Sequence, residues 1–360
     1  MRKARVASLI RAMDMPVPAR SSVQGGASSA YLDHVRRDAA FHGFVAAYAM
    51  VGLLIGFAAG VPHKFVPFTY AGMVVSGLAQ PLALLVVIVG LWSLRSPSPL
   101  QAFRAALGRA VLGPQAAAGL ILFASLLIFM GVFTSIKTML TDITPFFADR
   151  QLADLDALLH GRDPWRYAVA VFPARLTPVL ETLYFAIWGM LLFASMLAVL
   201  LVPRLREARS QFVWTALIIW PLLGNVVAGA VMSAGPVYFE RITGDARFHD
   251  LVGYLVEHSR AQEWAQAYLW KFYASGEAGA GSAISAFPSM HLAQATLLVL
   301  LATRVHRWAL WAVTAYCALI LFGSVHLGWH YAVDGYFSIA ATVLIWKVVG
   351  WGLQRKCRPR

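Results

Sequence analysis

Charged side chains are scarce in this sequence. They account for 13% of its 360 residues, whereas 59% of the residues are hydrophobic. Since a soluble globular domain carries about 25% charged residues, this deficit excludes a chain whose surface mostly faces water. Cysteine is scarce too: Cys317 lies in an apolar run and Cys357 in the C-terminal tail, so no disulfide framework is expected. The composition predicts one compact bundle of membrane-spanning helices.

Acidic residues are outnumbered, 17 against 30 Lys and Arg, which leaves a formal net charge of +13. In a soluble protein this excess would suggest a nucleic-acid partner. Here the basic residues stand in short loops between apolar runs, as in the cytoplasmic loops of membrane proteins, so no nucleic-acid partner is expected. The basic N-terminus lacks the apolar core of a signal peptide, and residues 1–38 are predicted to be a mostly disordered cytoplasmic arm.

Long apolar runs dominate the rest of the chain. A helix needs about 20 apolar residues to cross a membrane, and about eight segments qualify, so the predicted fold class is an all-α, polytopic membrane bundle. Residues 39–115 hold two additional helices and a basic loop, residues 116–351 a six-helix core, and residues 352–360 a basic cytoplasmic tail. The predicted spans are residues 41–60, 69–93, 116–139, 177–202, 212–233, 288–303, 308–325 and 332–351.

The charges of the loops predict the orientation of the bundle. With a cytoplasmic N-terminus, the basic clusters around Arg95, Arg204 and Arg355 all fall on the cytoplasmic side, as the positive-inside rule requires. Both termini are then cytoplasmic, and the long loops, residues 141–176 and 234–287, lie on the opposite side. We therefore expect an integral protein of a bacterial-type plasma (inner) membrane, with its chemical motifs on the extracytoplasmic face.

Both long loops contain predicted helices. Residues 148–160 have apolar positions at helical spacing, which predicts a short amphipathic helix at the membrane interface. Residues 246–274 are also predicted to be helical, and their aromatic side chains are interpreted as an interfacial belt or as a cover for lipid tails. Glu181 stands inside the fourth predicted span, where it either forms a hydrogen bond within the bundle or faces a site.

Ionisable residues occur at the predicted ends of several helices, in the segments 234–241, 285–291 and 326–334. Ionisable groups at the edge of the hydrocarbon are costly and therefore mark function. His330 and Asp334 are four residues apart, so on a helix they share one face. An aspartate that accepts one imidazole N–H leaves the other ring nitrogen free as a nucleophile.

A second histidine completes the pattern. Pro288 suits the first turn of a helix, and the amides at a helix N-terminus favour an anion. His291 is therefore expected where a phosphate would dock, in a position to give a proton to a leaving oxygen. Together with the His330–Asp334 pair, this arrangement predicts phosphate-ester chemistry on a lipid.

These segments resemble the motifs of a known family. Residues 288–291, Pro-Ser-Met-His, resemble the Pro-Ser-x-His motif of the type 2 phosphatidic acid phosphatase superfamily, and His330-x-x-x-Asp334 resembles its last motif. The variant most similar to this sequence is the inositol phosphorylceramide synthase branch, with Phe-Pro-Ser-x-His at 287–291 and His-Tyr-x-x-Asp at 330–334. The resemblance covers about residues 116–351.

The resemblance implies a mechanism and a set of partners. His330 would be the nucleophile that becomes phosphohistidine, Asp334 would orient it, and His291 would be the general acid and later the base. The reaction would need no metal and no cofactor, and the partners would be membrane lipids, with a phospholipid as donor. A lipid alcohol as acceptor gives a phosphotransferase, such as an inositolphosphotransferase; water gives a lipid or isoprenyl phosphate phosphatase.

This sequence lacks the basic residues that are usual in the motifs of the superfamily. Its first motif, Lys followed after six residues by Arg-Pro, is not found near residues 234–245, and Ser324 stands where an arginine usually precedes the last motif. The phosphate ligands are therefore hypotheses. The principal candidates are Lys137, Arg241, Ser289 and Tyr238, and weaker ones are Arg150, Arg175 and Lys271.

Two other interpretations remain open. His326 and His330 would be half of a metal site, but a zinc site takes three or four ligands, so His326 is better interpreted as an interface or supporting residue. A transporter or lipid-binding protein with the same fold is the non-enzymatic alternative. A transporter carries polar groups near the membrane midplane, whereas an enzyme requires His291, His330 and Asp334 to converge within hydrogen-bond reach.

Overall fold

The computed structural model describes residues 23–72, 90, 93–94, 96–112, 114–202 and 205–356, and no strand occurs among them. Its all-α architecture confirms the predicted fold class. In chain order the helices are α1 (Val23–Ala58), α2 (Pro99–Leu112), α3 (Pro114–Ile143), α4 (Asp149–His160), α5 (Pro164–Val171), α6 (Thr177–Thr182), α7 (Trp188–Leu201), α8 (Arg206–Pro221), α9 (Ala228–Ala230), α10 (Phe239–Thr243), α11 (His249–His258), α12 (Arg260–Ser275), α13 (Met290–Ala302), α14 (Arg307–His326) and α15 (Ala332–Lys356).

Six helical stretches among the described residues are long and apolar enough to cross a membrane. Each corresponds to a predicted span, whereas α13, at the predicted span 288–303, is a shorter apolar helix. The count of eight is not confirmed, because most of the predicted span 69–93 lies outside the described residues. The six stretches are Val35–Ala58, Ala117–Ile143, Ala174–Leu201, Arg206–Ala230, Arg307–His326 and Ala332–Arg355.

The first helix is longer than predicted. α1 begins at Val23, so residues 23–38, which the sequence assigned to a disordered arm, are helical, and that part of the prediction is corrected. Buried Asp38 accepts hydrogen bonds of 2.7 and 2.6 Å from the guanidinium of Arg209 in α8. This ion pair holds the beginning of the apolar part of α1 against the bundle. Residues 1–22 of the predicted arm lie outside the described residues.

Two apolar cores hold the bundle together. One runs along α1, α3, α7 and α8 and includes the buried side chains of Phe129 and Leu217. The other surrounds the start of α13 and of α15, with Tyr184, Leu251 and Tyr331 among its buried members. We call this second end of the bundle the motif end, because the segments 285–291 and 326–334 meet there.

The segment before α13 is not helical, and α13 alone is short for a helix that crosses a membrane. The 13 residues of α13 extend for about 20 Å, less than the roughly 30 Å of a hydrocarbon core. Non-helical backbone is tolerated at membrane depth only where its polar groups are satisfied inside the protein. The amide of Ala286 donates to the Ser233 carbonyl at 2.8 Å, and the amide of Phe287 donates to the Ser233 hydroxyl at 3.0 Å. The turn after α9 therefore positions the motif segment.

Candidate active site

His330 and Asp334 form a buried pair at the motif end. The Nδ1 atom of His330 lies 3.3 Å from Oδ2 of Asp334, which also accepts a hydrogen bond of 3.1 Å from the amide of Tyr331. The predicted contact is present, but its origin differs from the prediction. α15 begins at Ala332, so His330 stands in the turn before the helix, and this turn rather than a shared helix face brings the two side chains together.

The surroundings of His330 favour its neutral form. Burial, together with the positive charge of Lys137, lowers the pKa of His330 to about 3, against an opposing hydrogen bond with the Ala286 backbone. Because only a neutral imidazole offers a lone pair, the ring is ready to act as a nucleophile at neutral pH.

His291 is held between two aromatic rings. Its ring stacks on that of Tyr184 with a centroid distance of 4.4 Å, and the ring of Trp188 lies 4.2 Å away. The Trp188 indole N–H also donates to the His291 carbonyl at 3.1 Å. Tyr184 belongs to a π-helical turn, Leu183–Ile187, between α6 and α7, a distortion that often occurs at functional sites. The clamp fixes the imidazole 6.0 Å, centroid to centroid, from the ring of His330.

Both histidines line a cavity of about 470 Å³. Its volume is within the range of small-molecule sites, about 300–1,000 Å³. The charged side chain of Lys137 also lines it, and none of the described lining residues is acidic. The cavity therefore favours an anion next to an apolar or aromatic group. Aromatic residues form much of its wall, among them Trp188, Trp220, Tyr238, Trp264, Tyr268 and Trp329.

Lys137 is the cation of this cavity. It lies in α3 and its side chain is buried, with 8% of the residue exposed. Among the described residues no carboxylate pairs with its ammonium, and its recorded neighbour is the ring of Phe133 at 5.8 Å. A buried cation without a counter-ion is costly, and an anionic ligand would offset that cost.

The other predicted phosphate ligands lie in different positions. Ser289 is the N-cap of α13, where its hydroxyl accepts a hydrogen bond of 3.4 Å from the amide of Leu292. Pro288 thus precedes the helix rather than standing in its first turn. Tyr238 lines the cavity, but its hydroxyl donates to the Gln266 carbonyl at 2.9 Å. The geometry brings Lys137, rather than the serine, to the two histidines.

The predicted arginines lie outside the cavity lining. Arg241 is exposed, and its guanidinium lies over the ring of Trp270 at 4.9 Å. Arg150 donates to the Thr243 carbonyl at 2.9 Å. Arg175 and Lys271 are exposed as well. The structure therefore does not bring the weaker candidates, or Arg241, to the histidines.

Two further ionisable residues have partners within the bundle. The Glu181 carboxylate accepts a hydrogen bond from the Ser259 hydroxyl and lines a different cavity from the histidines, with Glu257 and His258, so it forms a hydrogen bond within the bundle and does not face the histidine cavity. His326 Nε2 lies 3.0 Å from the Thr177 hydroxyl. This contact agrees with a supporting role for His326.

Two carboxylates that the sequence did not suggest hold the last motif. Asp149 accepts hydrogen bonds from the amides of Ala234 and Gly235 and, at 2.9 Å, from the Tyr331 hydroxyl. Asp156 accepts hydrogen bonds from the amides of residues 332 and 333 at 2.7 and 2.9 Å. Burial raises the pKa of both carboxyl groups, and their hydrogen bonds with the amides oppose the shift. Asp156 thus caps α15 from another helix.

α4, which carries both carboxylates, buries acidic side chains and exposes apolar ones. The predicted helix is present, but its buried face includes Asp149 and Asp156, whereas Leu158 and Leu159 are 79% and 59% exposed. Acidic residues seven positions apart share one helix face, which is the sequence signal that could have identified them. The exposed leucines fit a helix that faces lipid and turns its acids inward.

The turn after α9 requires glycine at position 235. Gly235 has a φ of 93°, and a Cβ atom there would lie 2.7 Å from the Trp329 carbonyl oxygen. The turn can therefore approach the residue before His330 only with glycine at this position. Fold and site together define an integral helical membrane protein with a cavity at one end that is lined by two histidines and a lysine, and with an aspartate in contact with one of the histidines.

Comparison with protein families gives further evidence on the class of this protein. A family model of the PAP2 superfamily matches residues 150–348, more than half of the chain and both histidine motifs. The chain belongs to the PAP2 superfamily, whose members are in general membrane phosphatases and phosphotransferases, and this membership supports an enzyme of that kind. No match was found among curated proteins or among solved structures.

Proposed function

We propose that this protein cleaves a lipid phosphate ester through a phosphohistidine at His330. The observation that carries the proposal is the His330–Asp334 contact of 3.3 Å at a cavity that His330 shares with His291 and the buried Lys137. The His330–Asp334 pair is within hydrogen-bond reach, as an enzyme requires and a transporter does not, whereas the ring of His291 lies 6.0 Å from that of His330, centroid to centroid. Membership of the PAP2 superfamily supports the same reaction class.

In the first proposed step, the ring nitrogen of His330 remote from Asp334 attacks phosphorus. A P–N bond forms while the P–O bond to the leaving alcohol breaks, and His291, protonated while the anionic substrate is bound, gives its proton to the departing oxygen. Asp334 accepts the Nδ1–H hydrogen bond and stabilises the charge that develops on the imidazole. Lys137 neutralises the phosphate oxygens.

In the second proposed step, His291 takes the proton of the acceptor hydroxyl as its oxygen attacks phosphorus. The P–N bond breaks and His330 is regenerated. With a lipid alcohol as acceptor the protein is a phosphotransferase, as in the inositol phosphorylceramide synthases that its motifs resemble; with water it is a phosphatase. The motifs Phe287–His291 and His330–Asp334 favour transfer. No step of this scheme needs a metal ion.

We further propose that the site opens to the extracytoplasmic leaflet. The motif end lies opposite the basic loops, which the positive-inside rule places in the cytoplasm. Membrane lipids, rather than cytosolic nucleotides, are then the substrates. The bundle would lie in a bacterial-type inner membrane with both termini in the cytoplasm.

The test is a phosphate-release and headgroup-transfer assay on purified protein in mixed micelles without added metal. The substrates are phosphatidic acid, an isoprenyl pyrophosphate, and phosphatidylinositol with ceramide. His330→Ala should abolish both turnover and the acid-labile phosphoenzyme. His249→Ala is the matched control, because His249 is exposed at the motif end and pairs with Glu240. Turnover that survives His330→Ala would refute the assignment, and the substrate consumed would decide between transfer and hydrolysis.

A further inference from the structure

Part of the cavity wall precedes the region that matches the family. The matched residues begin at 150, yet five residues that line the cavity lie before that position. One of them, Tyr70, belongs to the connection that follows α1, and the others belong to α3. They are Tyr70, Met130, Phe133, Thr134 and Lys137.

Residues 59–72, which we call the strap, run closely along α3. Buried Lys64 pairs with Asp142 at 2.6 Å, and the amide of Val66 donates to the Ser135 hydroxyl at 2.9 Å. Farther along, a Cβ atom at Gly131 would lie 2.1 Å from the Pro67 carbonyl oxygen. The strap therefore descends along α3 from its end toward its middle, and glycine is required where the two backbones meet.

Tyr70 connects the strap to the segment that precedes the Pro-Ser-Met-His motif at residues 288–291. Its hydroxyl lies 2.9 Å from the Thr134 hydroxyl and accepts a hydrogen bond of 3.1 Å from the amide of Gly281. Its ring lies 6.4 Å from that of Phe193, which also lines the cavity. Both hydrogen bonds fix the ring as a wall of the cavity.

The position of Tyr70 relative to Lys137 indicates which part of a ligand it would meet. Thr134, the contact of Tyr70 in α3, is three residues from Lys137, so their backbones are about 4.5 Å apart along the helix axis. Around Thr134 the lining is apolar, with Met130, Leu192 and Phe193. A phosphate bound at Lys137 would thus place its ester substituent against Tyr70 and these apolar side chains.

We propose that Tyr70 is a specificity-determining residue that selects the hydrophobic substituent of an amphiphilic phosphate ester. The proposal rests on the assignment of the cavity as the substrate site under the proposed function. It gives the strap, which lies outside the matched family region, a role in substrate choice.

The test measures ligand binding rather than turnover. The intrinsic fluorescence of the tryptophans that line the cavity reports titrations of the protein in nanodiscs with butyl phosphate and octyl phosphate. Wild-type protein should bind octyl phosphate more tightly, and Tyr70→Ala should lower the ratio of octyl to butyl affinity about tenfold. Tyr70→Phe, which keeps the ring, should change the ratio less. Phe193→Ala, on the same wall, should lower the ratio as Tyr70→Ala does.

Two controls make the result specific. Phe68→Ala alters the same strap at a side chain that is 68% exposed, and should leave the affinity ratio as in the wild type. Lys137→Met should weaken both ligands by a similar factor and so preserve the ratio. An unchanged ratio in Tyr70→Ala, or an equal change in Phe68→Ala, would overturn the proposal. Because binding needs no chemistry at His330, an inactive enzyme with the expected ratios would refute only the proposed reaction.

Discussion

The charge of Lys137 affects the protonation of His330 at the cavity. No carboxylate of the described residues pairs with the lysine, and its charge helps to lower the pKa of His330. The family model covers His330 but not Lys137, because Lys137 precedes the matched region. A single cation brought in by α3 stands near the histidines, and the usual arginine positions hold other residues.

The pH dependence of catalysis tests this relationship. A nucleophilic histidine must be neutral, so protonation of His330 removes activity at low pH. Since its pKa is lowered from the ordinary 6.5 to about 3, the acid limb of kcat/KM should fall well below pH 6.5. The substrate should be a phosphodiester, whose phosphate does not titrate in this range. Free-enzyme pKa values are read from kcat/KM.

The Lys137→Met variant supplies the comparison for the pH profile of kcat/KM. Lys137→Met should shift the acid limb toward higher pH, because one cause of the lowered pKa is removed. It should also reduce kcat/KM at neutral pH by about 10- to 100-fold, the value of a hydrogen bond to a charged group. An acid limb of the wild-type kcat/KM profile at pH 6.5 or above would contradict the role of Lys137. An acid limb that Lys137→Met leaves unchanged would contradict it as well.

At the scale of elements, α4 positions α15. Helix N-termini leave amides without intrahelical partners, and Asp156 satisfies two of those at the start of α15. The same helix binds Tyr331 through Asp149. The three residues that follow His330 are therefore held by a helix that is distant in sequence. We expect small displacements of α4 to be transmitted directly to the His330–Asp334 pair.

Substitution of Asp156 tests the capping contact. Asp156→Ala leaves two buried amides unsatisfied, at a cost of about 1–3 kcal/mol each, and should lower kcat about 10- to 100-fold through misplacement of His330. Asp156→Asn keeps one carbonyl acceptor and should have a smaller effect. The measurements are kcat, KM and thermal unfolding in detergent.

The matched control for this substitution lies on the same helix. The Asp154 side chain is 73% exposed and pairs with Arg247, which also binds Asp163. Asp154→Ala should therefore leave kcat within about twofold, since exposed ion pairs contribute about 0–1 kcal/mol. Equal losses in Asp154→Ala and Asp156→Ala would show that α4 is merely sensitive to substitution and does not position the motif.

At the scale of the whole molecule, α1 is part of the bundle although it lies outside the matched family region. It packs along α3, and Asp38 pairs with Arg209 of α8, with 2% and 20% of the respective side chains exposed. α3 carries Lys137, and the strap that follows α1 carries Tyr70. The packing of α1 on α3 therefore supports the part of the cavity that precedes residue 150.

Removal of one partner of the buried pair tests this attachment. Asp38→Ala leaves the Arg209 charge without its carboxylate and should lower the free energy of unfolding by about 3 kcal/mol. Replacement of both residues by apolar ones should recover much of the loss. Arg150→Ala breaks an exposed pair with Asp245 and should cost at most about 1 kcal/mol. Additive effects of Asp38→Ala and Arg209→Leu would indicate that the two residues do not interact in the folded protein.

Composition and local spacing were sufficient for several conclusions. Apolar runs long enough to cross a membrane predicted the all-α bundle, because backbone in lipid must satisfy its own hydrogen bonds. The segments around His291 and His330 indicated the superfamily. These signals are local, since each depends on neighbouring residues or on the length of one helix.

The tertiary structure decided which distant residues lie at the motif end. Lys137, Tyr70 and Asp156 reach the motif end only because α3, the strap and α4 pack there, and a hydrogen bond between residues far apart in sequence has no local periodicity. The same packing directs the acids of α4 inward. The residue types were visible along the chain, but their partners depend on burial, which arises only when the helices assemble.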